Sequence, residues 1–349
     1  MQKARHTPHV VVETGDLPRE EWLDYRRQGI GGNDVAGIMG ISPFRTARDI
    51  YYDKLNIAAV EDNPGNWVAL EMGHILEPLV AKIFEFKTGY ETYQIKKMFR
   101  HPSYPFMLAD VDYFVRLPDG TTGILEIKTT NYNATDHWWQ DGKKVVPAYY
   151  ETQGRHYMSV MDLDKVFFCC LYGNTDEEVI IRHLDRDMSY EQEMIFLEQN
   201  FWENHVKAKT PPPYTEEAGQ IMESLHRYCG PADTSASVIE LGRDMTSTLM
   251  RFLELQEQKK SVDQLAEGLE KEMQRMKAIL VAEMGTNCRA VCKKDGISYT
   301  LTYNPVRKPG VDKNNLSRLE FQHPDIYKKY VTVLEYRRFQ VKANADKAA

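Results

Sequence analysis

Residues 110–129 constrain the fold of this chain more than any other stretch. Its two arms, residues 110–115 and 123–129, are rich in β-branched and apolar side chains. The segment between them contains Pro118, Asp119 and Gly120, which are residues typical of tight turns. This pattern predicts a β-hairpin.

The second arm of the predicted hairpin alternates between apolar and charged side chains. Leu125 and Ile127 point to one face, where they enter a core, while Glu126 and Lys128 share the opposite face. Asp112, on the other arm, can reach that same face. Two carboxylates and one ammonium group are therefore expected to converge.

Such a group of side chains has a chemical use. Carboxylates bind hard divalent cations such as Mg²⁺, which keep several water ligands. A bound cation polarises a phosphoryl oxygen and activates water, while a nearby ammonium group offsets developing charge. The pattern thus indicates phosphodiester hydrolysis. An isolated Glu-x-Lys is more often the wet face of an ordinary sheet, and the hairpin alone leaves that alternative open.

Composition limits the class of protein. The 349 residues suffice for one large domain or two modest ones, and charged and hydrophobic fractions of 27% and 42% are typical of soluble globular chains. No apolar run is long enough to span a bilayer. Five cysteines without zinc spacing indicate reduced thiols and a cytoplasmic location. A net charge of −7 argues against nonspecific coating of DNA, but not against a locally basic channel.

The N-terminal part contains a candidate anion site. A helix is predicted to begin near Pro18 and to end at Gly29, and a glycine-rich turn leads from there into a second helix capped by Asn33 or Asp34. Backbone N–H groups at such a helix start, together with Arg26 or Arg27, can hold an anion. A tight turn before a capped helix explains the same residues.

Residues 66–89 are predicted to form a helix with a broad apolar face, which consists of Val68, Leu70, Ile75, Leu76, Leu79, Val80, Ile83 and Phe84. Glu77 lies beside this face and needs a partner, because burial of an unpaired carboxylate is costly. A metal-bound water or a salt bridge would serve. His74 is expected to be a surface or structural histidine.

The remainder of the chain predicts two domains. A helix from Pro147 carries Gln153 and Tyr157 on one face, and the strands 165–172 and 178–184 follow it.

The proline run at 211–213 marks a boundary, which gives domains 1–210 and 211–349. In the second domain a long helix over 244–284 has a heptad-like apolar seam, and a hairpin follows it. The expected fold is α/β, a mixed sheet flanked by helices with this C-terminal extension.

Five sequence blocks resemble motifs of the YqaJ-type phage recombinase nucleases, the lambda exonuclease family in the PD-(D/E)XK superfamily. In chain order the blocks are Trp22-x3-Arg26 with the glycine turn 29–34, Gly73-His74-x2-Glu77-Pro78, residues 108–112, Leu125-Glu126-Ile127-Lys128, and Gln153-x3-Tyr157. The resemblance covers roughly residues 22–209. It implies a restriction-endonuclease-like core with the site in a cleft.

The resemblance also implies roles for individual residues. Asp112, Glu126 and the backbone carbonyl of Ile127 would bind metal, Glu77 would act on it directly or through water, and Lys128 would act on the attacking water. Gln153 belongs to the catalytic group, and Tyr157 supports it. Arg26 would hold a DNA phosphate together with Asn33, which stands where the family usually has serine.

For the whole protein the resemblance implies a Mg²⁺-dependent exonuclease that uses two ions, with Mn²⁺ as a substitute. It would degrade double-stranded DNA in the 5′ to 3′ direction as a ring-shaped oligomer, and would supply single strands to an annealing protein in a phage or prophage context. A nicking or structure-selective endonuclease of the same superfamily is the first alternative. A non-catalytic DNA-binding recombination protein is the second. An iron–sulfur relative is disfavoured because no cysteine precedes Cys169.

Overall fold

The structure is a computed structural model that describes residues 5–59, 67–229, 235, 237–295, 297–305 and 313–331. Among these residues, no helix combines the length and the apolar character needed to cross a membrane. Contacts divide the chain into two compact units, Met1–Pro231 and Ala232–Ala349.

The helices are α1 (Arg19–Arg27), α2 (Gly32–Ile38), α3 (Ala47–Lys54), α4 (Trp67–Thr88), α5 (Ala148–Met161), α6 (Met188–Phe201), α7 (Ala218–Cys229), α8 (Asp244–Met284), α9 (Lys313–Gln322) and α10 (Pro324–Tyr330). The strands are β1 (His9–Glu13), β2 (Ile30–Gly31), β3 (Glu91–Tyr93), β4 (Lys97–Arg100), β5 (Met107–Asp110), β6 (Tyr113–Arg116), β7 (Thr122–Thr129), β8 (Trp139–Gln140), β9 (Lys143–Lys144), β10 (Lys165–Leu171), β11 (Val179–Asp185), β12 (Arg289–Lys294) and β13 (Ile297–Thr302). A 3-10 helix spans Tyr132–Trp138, and a π-helical stretch, Trp202–Lys207, extends α6.

The predicted hairpin lies at the centre of a five-stranded sheet with the order β11-β10-β7-β6-β3. Strand β6 pairs antiparallel with β7, and β7 pairs parallel with β10, so the sheet is mixed. The turn uses Gly120 at a φ of +83°, which favours glycine because it lacks a Cβ. The first arm differs from the prediction. It is split after Asp110, because β5 belongs to a second sheet and Asp112 lies in the connection to β6.

The second sheet, ordered β1-β4-β5-β2, brings the N-terminal glycine turn to the site. Strand β2 pairs parallel with β5 through Ile30 and Met107, and α2 begins directly after it. Because β5 leads into Asp112, this pairing places the start of α2 beside the hairpin.

Helices cover both faces of the five-stranded sheet. On one face Val80 and Phe84 of α4 pack in an apolar cluster with Leu125 and Ile127. On the other face α5 comes so close that a Cβ at Gly154 would lie 2.6 Å from Phe168. The predicted fold class, a mixed sheet flanked by helices, is therefore confirmed.

The broad apolar face predicted for α4 is only partly buried. Val80 and Phe84 are fully buried, whereas Leu70 and Ile75 are 69% and 63% exposed. A Cβ at Gly73 would lie 3.7 Å from the hydroxyl of Thr129, the last residue of β7. The turns before Gly73 thus extend past the sheet, which is why their apolar side chains find no cover there.

The boundary between the two units lies after residue 231, later in the chain than the residue 210 expected from the proline run. Helix α7 belongs to the first unit, since the hydroxyl of Ser224 donates a 2.7 Å hydrogen bond to Asp49 in α3. In the second unit, α8 and the hairpin β12–β13 occur where the sequence predicts them. The apolar seam of α8 is exposed, with Val262 at 64% and Leu269 at 56%.

Candidate active site

A cleft of about 520 Å³ lies where β7, α5, α4 and the glycine turn meet. The side chains to which the resemblance assigns roles line this cleft, and these residues are Arg26, Asn33, Glu77, Asp112, Glu126, Lys128, Gln153 and Tyr157, with Ile127 beside them. Arg27, the alternative to Arg26 in the predicted anion site, is not among the residues that line it. Residues far apart in the sequence are thus brought to one place.

The centre of the cleft is a hydrogen-bonded group on β7 and α5. The ammonium of Lys128 lies 2.7 Å from Oε1 of Glu126 and 2.9 Å from Oε1 of Gln153. The amide nitrogen of Gln153 donates to the same Glu126 oxygen, and it lies 3.4 Å from the hydroxyl of Tyr157. Glu126 is only 2% exposed, so this face of β7 is not the solvated surface of an ordinary sheet.

Asp112 and Asp110 have separate partners. Oδ2 of Asp112 accepts a 3.0 Å hydrogen bond from the backbone N–H of Ile127, which fixes its carboxylate next to β7. Asp110 accepts a 2.8 Å bond from the indole of Trp22. Asp112 is therefore the carboxylate held against the hairpin, in agreement with the register of the sequence motif.

Glu77 reaches the cleft from α4, one turn after Gly73, which lies beside the end of β7. Its carboxylate lies 3.3 Å from Nδ1 of His74, and its side chain is 32% exposed. His74 is 67% exposed at the side chain and lines the cleft as well. The structure therefore gives Glu77 a hydrogen-bonding partner at the surface and a position facing the same space as Asp112.

Crowding of carboxylates perturbs their titration. Burial, followed by the charge of Asp112, raises the pKa of Glu126 to about 8. Burial and the charge of Asp112 also raise the pKa of Glu77, and burial raises that of Asp112. Burial alone would lower the pKa of Lys128, but Glu126 and Asp112 outweigh it and raise that pKa. Three acids that face one cleft form an environment that favours an added cation.

The donor set fits a hard divalent cation. Oε2 of Glu126 is buried and has no hydrogen-bond partner among the described residues, which is costly for a carboxylate oxygen without a cation. Among all the residues that the structure describes, no group of three acidic, histidine or cysteine side chains could hold an ion by itself. Mg²⁺ suits such a site, because one or two carboxylates, a carbonyl and several waters complete its coordination.

The glycine turn packs directly on the central group. A Cβ at Gly32 would lie 2.7 Å from the ring of Tyr157 and 2.9 Å from Cγ of Gln153. Any larger residue would push α2 away from α5. Gly31, not Asn33 or Asp34, is the N-cap of α2, and Asp34 accepts a 3.0 Å bond from the Gly31 N–H.

Arg26 is held at the cleft by a buried charge cluster. Its guanidinium donates a 3.0 Å bond to Asp34, whose other oxygen lies 2.6 Å from the ammonium of Lys54. Arg45 approaches the same carboxylate at 3.6 Å. Burial alone would raise the pKa of Asp34, but Lys54, Arg26 and Arg45 hold it well below its usual value. One carboxylate therefore faces three cations.

Sequence reasoning did not identify Lys54, Arg45 or the Trp22–Asp110 pair as part of the site. Lys54 is a lysine among buried residues of α3, with Ile50 and Tyr51 close by. A lysine on the apolar face of a helix could have predicted this cluster, because a buried ammonium needs a buried acid as its partner.

Residues 21–164 match the model of the YqaJ-like viral recombinase domain. A curated relative, the uncharacterized protein YqaJ of Bacillus subtilis (strain 168), is 28% identical over 337 residues, which cover 95% of this chain and 97% of the relative.

Two solved structures are also similar. An alkaline exonuclease (LHK-Exo) from Laribacter hongkongensis is 20% identical, with a TM-score of 0.44, and the match covers 55% of this chain and 94% of the other. A phage-related exonuclease from Haemophilus somnus 129PT is 14% identical, with a TM-score of 0.38, and the match covers 54% of this chain and 99% of the other.

Proposed function

Because residues 21–164 match the model of the YqaJ-like viral recombinase domain, we propose that this protein is a metal-dependent DNA exonuclease of recombination. The observation that carries the proposal is the convergence of Glu77, Asp112, Glu126 and Lys128 in one cleft. Acids that raise one another's pKa beside a fixed ammonium are of little use for stability, but they suit phosphodiester hydrolysis.

The proposed ion site consists of Asp112, Glu126 and the carbonyl of Ile127, with Glu77 facing it. Two Mg²⁺ ions, for which Mn²⁺ would substitute, would polarise the phosphoryl group and stabilise the leaving oxygen when bound.

The chain's own residues position the reacting groups. Gln153 and Glu126 fix the Lys128 ammonium at 2.9 and 2.7 Å, so its charge points into the cleft without further ordering. In this position it orients the attacking water and offsets charge that develops on the phosphoryl oxygens. Arg26, fixed by Asp34, binds a backbone phosphate through a charge-assisted hydrogen bond, and Asn33 lies beside it in the cleft.

The family resemblance extends the proposal to double-stranded DNA as substrate, 5′ to 3′ polarity, a ring-shaped homo-oligomer and a single-strand annealing partner. A ring restricts the cleft to DNA ends, which is how an exonuclease differs from an endonuclease with the same residues.

The decisive experiment compares two substrates with Mg²⁺ present. End-labelled linear duplex and a covalently closed circle are incubated with the protein. We expect the linear duplex to lose its 5′ label first and the circle to stay intact. Cutting of the circle would replace the exonuclease by the endonuclease alternative, and inertness toward both would favour a non-catalytic DNA-binding protein. A measured oligomeric mass tests the ring separately.

A further inference from the structure

Aromatic rings in mutual contact lead from Lys128 to Phe44 and to Trp138, and Trp139 follows Trp138 in the chain. Its ammonium lies 4.8 Å from the ring centre of Tyr150, and the rings of Tyr150 and Tyr149 are 4.5 Å apart. Tyr149 in turn contacts Phe44 at 5.7 Å, edge to face. Tyr150 also packs at 6.0 Å on Trp138, the residue before Trp139. We call these five aromatic residues, Phe44, Trp138, Trp139, Tyr149 and Tyr150, the aromatic strip.

The two outer members of the aromatic strip are exposed. Phe44 is 63% and Trp139 is 41% accessible, whereas Trp138 is buried and anchors the segment. Each exposed ring is braced from one side, Phe44 by the edge of Tyr149 and Trp139 by the guanidinium of Arg182 at 5.1 Å. A large aromatic ring that is held in place but not covered presents a flat face for stacking.

Positive charge accompanies the exposed rings. Lys144 pairs with Trp139 across the small hairpin β8–β9, and Lys143 and Lys144 are both exposed. Arg45, which follows Phe44 in the chain, is already paired with Asp34 and Asp53, so the positive charge beside the aromatic strip comes from Lys143 and Lys144. Rings next to cations are complementary to a chain of bases joined by phosphates.

We propose that the aromatic strip binds single-stranded nucleic acid by stacking unpaired bases on Phe44 and Trp139. Bases inside a duplex cannot use it, because their faces are already occupied by neighbouring bases. The location fits this occupant, since the ring of Tyr150 contacts the ammonium of Lys128, which lines the cleft. This inference rests on the proposed nuclease function for its biological setting, but the binding itself does not require hydrolysis.

The test is equilibrium binding of labelled oligothymidylate with EDTA present, so that no hydrolysis occurs. A second probe of equal length consists of abasic deoxyribose phosphate units. Phe44→Leu and Trp139→Leu each remove a ring but keep an apolar side chain. Stacking contributes about 1–3 kcal/mol per base, so each variant should bind oligothymidylate about tenfold more weakly. Affinity for the abasic probe should not change.

Two controls accompany these variants. Phe196→Leu removes a ring of similar exposure, 66%, from α6 and should leave both affinities unchanged. Phe44→Tyr keeps a ring and should bind like the unaltered protein. Thermal unfolding of each variant establishes that the fold is retained.

The inference is overturned by any of three results. The unaltered protein prefers neither probe, Phe44→Leu and Trp139→Leu bind oligothymidylate normally, or the two variants lose affinity for both probes equally. If the rings bound another protein and not nucleic acid, the two variants would bind oligothymidylate normally, which is the second of these results. If base-dependent binding is lost in the two variants while the unaltered protein fails to digest linear duplex, the strip stands and the nuclease function fails.

Discussion

The two charge clusters that face the cleft have opposite electrostatics. Around Glu126, three acids share one ammonium, and the pKa of each acid is raised. Around Asp34, three cations share one buried carboxylate, and its pKa is lowered. The first cluster is short of positive charge and gains from a cation. The second holds Arg26, Arg45 and Lys54 against Asp34 and Asp53, and this excess of positive charge suits the proposed contact with a DNA phosphate.

The largest expected effect breaks the second cluster. Asp34→Asn keeps the shape of the side chain but leaves Arg26, Arg45 and Lys54 without their shared charge. Removal of one partner from a buried pair costs about 3–5 kcal/mol, so the free energy of unfolding in urea should fall by that amount. Asp24→Asn is the matched control, because Asp24 is 71% exposed in its pair with Arg27. It should stay within about 1 kcal/mol of the unaltered protein.

Substitutions in the first cluster should reduce hydrolysis and not the free energy of unfolding. Lys128→Ala should reduce hydrolysis of linear duplex by a factor of about 100 to 1000 or abolish it, because a fixed charge at the reacting phosphoryl group is lost. Glu126→Gln should abolish digestion too. In EDTA it should not lower the free energy of unfolding, since it removes one of three crowded acids.

Lys165→Ala, on the neighbouring strand β10, is the control for the lysine. Its ammonium pairs with Asp185 at 2.7 Å, and its side chain is 32% exposed. Normal digestion by Lys128→Ala, with a normal circular dichroism spectrum, would show that the lysine has no part in the reaction.

Acid should remove the contribution of Asp34. The lowered folded-state pKa means that Asp34 stabilises the fold fully above its unfolded value of 3.8, and that this stability is lost as the pH falls toward the folded value. The difference in unfolding free energy between the unaltered protein and Asp34→Asn should therefore shrink below about pH 4, by about 1.4 kcal/mol per pH unit. Urea titrations between pH 5 and 2.5 measure it. A constant difference would mean that Asp34 is not ionised in the fold.

The smallest effect concerns the anion that the second cluster should bind. Arg26→Gln should reduce the slope of log affinity for duplex DNA against log salt by about 0.9, which corresponds to one lost phosphate contact. Arg26→Lys keeps the charge and should keep most of the slope. Arg116→Gln, a 63% exposed arginine paired with Glu91, serves as control. Equal slopes in all three variants would remove Arg26 from the DNA contacts.

The sequence was informative wherever a local pattern carries the physics. Alternation in residues 123–129 predicts which side chains of β7 enter the core, and turn residues 118–120 predict the hairpin. The boundaries of α8 were predicted from its heptads, because a long periodic helix needs no tertiary partner to be recognised.

Other features depend on contacts that no local pattern records. The apolar side chains of α4 look uniform in the sequence, but only those opposite the sheet are buried, because the helix extends beyond it. Gly32 is explained by its closeness to Tyr157 and Gln153, which come from a helix far along the chain.

The sequence by itself determined the mixed fold, the strand that carries Glu126 and Lys128, and the candidate residues Glu77, Asp112 and Gln153, which line the cleft with them. Only the tertiary structure decided the environment of those residues. It buried Glu126 beside Asp112, gave Glu77 its partner His74, and surrounded Asp34 with Lys54, Arg26 and Arg45. The reason is physical: side-chain type and spacing are local properties, whereas burial and the sum of nearby charges depend on every segment that the fold brings together.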